Sequence, residues 1–119
     1  MSVEGMWKFQ SGSYLEPTVP RWGSILVLES GRVFGGDSVM AHLGRYEIDR
    51  SKITAKARSW VWNLDVGEIE NVFGMTGSID YEVVLEGELS GDTITGHIWP
   101  EIAPAIRFVI RMEKIAELP

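Results

Sequence analysis

Hydrophobic and polar residues alternate along most of this chain with the period of two that marks a strand with one dry face. Gly5 to Gln10 sets Met6, Lys8 and Gln10 against Trp7 and Phe9, which predicts a half-buried first strand. Lys52 to Trp62 alternates most clearly. Ile53, Ala55, Ala57, Ser59 and Val61 share one face, and Thr54, Lys56, Arg58, Trp60 and Trp62 share the other. Ile79 to Leu89 repeats the pattern, with Tyr81, Val83, Leu85, Gly87 and Leu89 opposite Glu82, Val84, Glu86 and Glu88. Thr93 to Trp99 turns Ile94, Gly96 and Ile98 inward, and Ala105 to Ile115 sets Ile106, Phe108, Ile110 and Met112 on one side.

The chain is organised around Trp22 to Ser38. Ile25 to Leu28 is an apolar run too short for an ordinary helix, Ser30-Gly31 is a hairpin turn, and Arg32 to Phe34 resumes a strand. Gly35, Gly36 and Asp37 are expected to form a structural turn that stops this strand, with the Asp37 carboxylate capping nearby amides. Val39 to Ile48 is the next strand, with Gly44 expected as a bulge or corner. Asp49 to Ser51 and Ser90 to Asp92 are tight turns. Ser11 to Pro20 is a loop, and Asn63 to Gly77 is a long connection with room for one helical turn over Val66 to Val72. Its Val72, Phe73 and Met75 are expected to plug one end of the fold or to cover its mouth.

About eight strands joined by short turns predict an all-β fold of one domain, residues 1–119. A small antiparallel β-barrel removes the edge strands; a two-sheet sandwich is the alternative. Ala55, Ala57, Gly87 and Gly96 are small inward residues, so larger side chains from facing strands fill the interior, or a cavity remains. In the second case Ile53, Ala55, Ala57, Val83, Leu85 and Phe108 line a site for a small apolar ligand.

Charge narrows the classes of partner. With 11 Lys and Arg against 17 Asp and Glu, the net charge of −6 argues against nucleic acid and against anionic membranes. No apolar run approaches the roughly 20 residues that span a bilayer, and Glu4 interrupts a start that lacks a signal-peptide core. A cytoplasmic location is expected. The absence of cysteine removes disulfides, thiolate metal ligands and cysteine nucleophiles.

Candidate chemistry is sparse. His42 and His97 are the only histidines and are expected to be solvated strand residues, so neither a metal nor another cofactor is expected. No GxSxG or GxGxxG pattern occurs, and a non-enzymatic protein is expected. Asp80, Glu82, Glu86 and Glu88 read as a solvated strand face, salted against Arg107 and Arg111 or Lys56 and Arg58. Trp60, Trp62 and Trp99 fall opposite the small-residue interior. Large aromatics on a barrel exterior need cover, which makes these three the candidate dimer or partner interface.

The central stretch with Gly31 and Gly35-Gly36-Asp37, then Leu43-Gly44-Arg45-Tyr46, Leu85-Glu86-Gly87 and Asp92-Thr93-Ile94, resembles the GrlR-like family, over about Trp22 to Met112. That family is named for a negative regulator of type III secretion. The resemblance implies a lipocalin-like barrel that forms a homodimer and regulates by binding another protein, such as a transcriptional activator. In the named regulator an acidic surface turn holds the activator. The corresponding turn here, Ile48 to Ser51, carries Asp49 followed by Arg50.

Overall fold

Eight antiparallel strands follow one another around a closed barrel, and the last pairs with the first. The structure, a computed structural model, describes residues 3–12, 23–66 and 79–119. The strands are β1 (Gly5–Ser11), β2 (Ser24–Glu29), β3 (Arg32–Gly36), β4 (Met40–Asp49), β5 (Lys52–Val61), β6 (Asp80–Ser90), β7 (Thr93–Pro100) and β8 (Phe108–Ala116). Closure is made by β1 and β8, in register from Trp7 opposite Lys114 to Ser11 opposite Ile110, after a shift between Met6 and Trp7. Among the described residues no helix is long and apolar enough to cross a membrane.

Alternation sends one side of every strand into a shared core. Trp7, Leu26, Leu28, Val33, Ile53, Ala57, Val83, Leu85, Ile94, Ile98, Ile110 and Met112 form one buried cluster, with Ala55 and Phe108 packed against it. Trp7 is fully buried, and its indole Nε1 donates to the Val3 carbonyl at 2.9 Å, so the ring's one polar atom is satisfied. The room that small inward residues leave is taken up by their neighbours. A side chain at Gly87 would meet Ile94 Cγ2 at 2.9 Å and Ile53 Cγ2 at 3.5 Å.

The turns follow the local chemistry. Ser30 and Gly31 both have positive φ, 50° and 77°, the pair of values a two-residue type I′ hairpin requires. Asp37 Oδ1 accepts from the amides of Val39 and Met40 at 2.8 and 2.7 Å, so the expected cap is present. Two expectations are corrected. Gly35 and Gly36 do not stop β3 but complete it, and the chain turns at Asp37 to Val39. Gly35 is there because its φ of 153° and a Cβ only 2.0 Å from the Ile25 carbonyl oxygen leave no place for a side chain. Gly44 is no bulge: β4 and β5 stay in register from Met40 to Asp49. A Cβ there would lie 2.1 Å from the Lys56 carbonyl oxygen, so glycine permits a close approach of two strands.

A short 3-10 turn at Leu64–Val66 ends at Val66, where the expected helical turn starts. The rest of that turn, with Val72, Phe73 and Met75, and the loop at 13–20 lie outside the described residues.

Candidate interaction surface

β2 and β3 are apolar on both faces, which a barrel with one dry side does not require. Leu26, Leu28 and Val33 face the core, and Ile25, Val27 and Phe34 face out. The cross-strand register joins these outer residues into a continuous row. Met6 stands beside Val27, Val27 beside Phe34, and Phe34 beside Leu43. Leu43 is 56% exposed, Ile25 40% and Met6 38%, while Val27 and Phe34 are half-buried. A parallel row runs Ile25, Gly36, Ala41, Trp60, in which the two small residues keep the surface low between Ile25 and the indole.

Trp60 stands at the end of that row under a stacked guanidinium. Arg58 Nε and its terminal NH2 donate to the two carboxylate oxygens of Asp80, each at 2.9 Å. This fork places the guanidinium 4.2 Å from the Trp60 ring centroid. The same bond holds the Asp80 carboxyl below its usual pKa and the Arg58 guanidinium above its own. A stacked aromatic loses little freedom when a partner covers it.

The other two expected tryptophans differ from Trp60. Trp62 is 52% exposed, and its Nε1 donates to the Asp37 carbonyl at 2.9 Å. Asn63 Nδ2 donates to the Ser38 carbonyl at 2.9 Å, so residues 62 and 63 clasp the turn after β3. Trp99 lies on the outer side but is only 8% exposed, with the Arg107 guanidinium 4.1 Å from its ring. It is already covered by its own chain, so of the three only Trp60 and Trp62 offer surface.

On its other flank the apolar row borders a line of cations. Glu29 stands opposite Arg32, Arg32 opposite Arg45, and Arg45 opposite Lys56. Arg32 reaches Glu29 at 2.7 Å, and Lys56 reaches Glu101 at 2.9 Å, a bond that raises the lysine pKa. Among the described residues Arg45 has no carboxylate within ion-pair distance. The expected salting of the β6 acids holds for Asp80 with Arg58, while the other expected cations go elsewhere. Arg58 takes Asp80 and Lys56 takes Glu101, while Arg107 stacks on Trp99 and Arg111 pairs with Glu113.

His42 is not a solvated strand residue, and this too is a correction. It points into the barrel at the end where β1, β3, β5 and β7 finish. Its Nδ1 lies 2.7 Å from Ser59 Oγ and its Nε2 3.4 Å from Ser24 Oγ, which donates to Asp37 Oδ2 at 2.8 Å. The direction of each bond follows. A carboxylate only accepts, so Ser24 spends its proton on Asp37 and takes one from Nε2; Nδ1 then accepts from Ser59. Burial pushes the His42 pKa down, against the weaker pull of Asp37, and keeps the ring neutral. Ser59 is 1% exposed, so this chain ties β2, β4 and β5 to the Asp37 turn and presents no nucleophile to solvent. His97 is exposed as expected and helps line a shallow groove of about 300 Å³ with Lys52, Thr54, Glu86, Glu88 and Thr95. Among the described residues no group of three or more His, Asp or Glu is placed to hold a metal ion.

The six residues expected to line a ligand site, Ile53, Ala55, Ala57, Val83, Leu85 and Phe108, all belong to or pack on the core cluster. Comparison with known proteins adds no name to this surface: no family model matches the chain, and no curated protein matches it.

Proposed function

We propose that this protein is a non-enzymatic, cytoplasmic regulator that works by binding other protein, and that the outer face of β1 to β5 is its contact surface. The observation that carries the reading is the unbroken row Met6, Val27, Phe34, Leu43 on the solvent side of a barrel that already has its own core. Contiguous exposed apolar surface of this kind marks interaction sites. The stacked Trp60 beside it is the residue type most enriched among hot spots. The GrlR-like resemblance supports the same role and supplies two kinds of occupant, a second copy of the chain and a transcriptional activator.

The test is native mass spectrometry of the protein isolated gently from its host, as wild type, Leu43→Asp and Val109→Asp. Val109 is 54% exposed at the start of β8, opposite His97 and away from the row, and serves as the control. Wild type and Val109→Asp retain a companion chain, and Leu43→Asp loses it. Retention of the companion by Leu43→Asp contradicts the proposal.

A further inference from the structure

Resting on that reading, we propose that the outer face is built for an acidic amphipathic segment of a partner protein. Its apolar residues cover the Met6–Leu43 row and its carboxylates meet the flanking cations. The charge pattern carries this. The chain holds 11 Lys and Arg against 17 Asp and Glu, yet three of those cations, Arg32, Arg45 and Lys56, stand directly opposite one another on one face. Like charges so placed disfavour the fold. Arg45 is exposed at the centre of the three, and although Glu47 follows two residues along β4 on the same side, the two make no ion pair. An uncompensated cation beside an exposed apolar row is matched by a carboxylate beside an apolar ridge.

A second copy matches Arg45 less well than an acidic segment does, because it brings the same three cations to the contact. Glu29 and Asp80 are engaged by Arg32 and Arg58, which leaves Glu47 and Glu82, among the described residues, as the carboxylates of this face without an ion pair. An anionic bilayer could satisfy Arg45, but it would also face the repulsion of a chain with net charge −6.

The experiment is selection of a phage-displayed library of random 16-residue peptides on the full-length protein, with Arg45→Glu and Leu43→Asp run in parallel. Unchanged denaturation midpoints establish that both variants fold. The expected pool combines apolar residues with net negative charge. It binds Arg45→Glu at least ~10-fold more weakly, as loss of one close charge pair allows, and does not bind Leu43→Asp. A neutral or basic pool, or one that needs Leu43 but ignores Arg45, overturns the acidic partner and leaves the contact face standing. A pool that ignores both residues, or no pool, overturns both. Two further results would overturn the acidic segment by giving the face another occupant: Arg45-dependent binding to phosphatidylglycerol vesicles, or a wild-type dimer that Leu43→Asp makes monomeric.

Discussion

Ser59 Oγ donates to His42 Nδ1 across 2.7 Å inside the barrel, and that bond exists only while the imidazole is neutral. Burial, the larger influence on this ring, lowers its pKa below the ordinary 6.5. The unfolded chain therefore takes up the proton first as pH falls. The stability contributed by neutral His42 is complete above about pH 6.5 and is lost as pH drops from there toward the depressed folded pKa. Urea denaturation at pH 7.5, 6.5 and 5.5 checks this. The midpoint of wild type falls more steeply than that of His42→Gln, since the shared carboxylates and His97 cancel in the difference.

Ser59→Ala leaves His42 Nδ1 buried without its donor. The expected loss is about 1–3 kcal/mol, the range for one unsatisfied buried polar atom. A double-mutant cycle with His42→Ala measures the coupling, and additive losses would mean that the bond contributes nothing.

Trp60 and Trp99 separate binding from stability. Trp99 is buried under Arg107, so Trp99→Ala costs about 3–5 kcal/mol of stability, as large-to-small changes at covered sites do. Trp60→Ala costs much less stability and instead weakens the protein contact by about 2 kcal/mol or more. Denaturation midpoints set beside companion retention in native mass spectrometry distinguish the two.

Glycines on the barrel wall are fixed by close approach. A Cβ at Gly96 falls 1.9 Å from the Glu86 carbonyl oxygen, whereas one at Gly91 meets nothing within 4 Å. Gly96→Ala therefore destabilises by about 3 kcal/mol or prevents folding, by pushing β6 and β7 apart. Gly91→Ala loses only about 1 kcal/mol, for holding alanine at a φ of 59°. Thermal unfolding of the two variants side by side gives the ranking.

The fold was legible where one side of a strand is dry and the other wet. The inward residues of β5, β6 and β7 were placed on the correct face from alternation alone, and all eight strands were found. Closure was legible as the way such a meander loses its edges, but the register of β1 on β8 was not, because those contacts join opposite ends of the chain. His42 was missed for a local reason: in β4 the inward positions are His42, Gly44 and Tyr46, while Leu43 points outward, so the strand reads as inverted. The outer row was missed because the run Ile25 to Leu28 is apolar at every position, and periodicity assigns no face to such a run. Its signal was present all the same: a short strand apolar on both sides requires cover on both sides.

The most direct measurement is hydroxyl-radical footprinting of the protein, comparing the state assembled in its host's extract with the dilute purified chain. Met6, Phe34, Leu43 and Trp60 should be protected in the assembled state, while the exposed Val109 at the start of β8 reacts equally in both. Unchanged reactivity across the Met6–Leu43 row, or protection confined to β8, would contradict the assignment of this face as the contact surface.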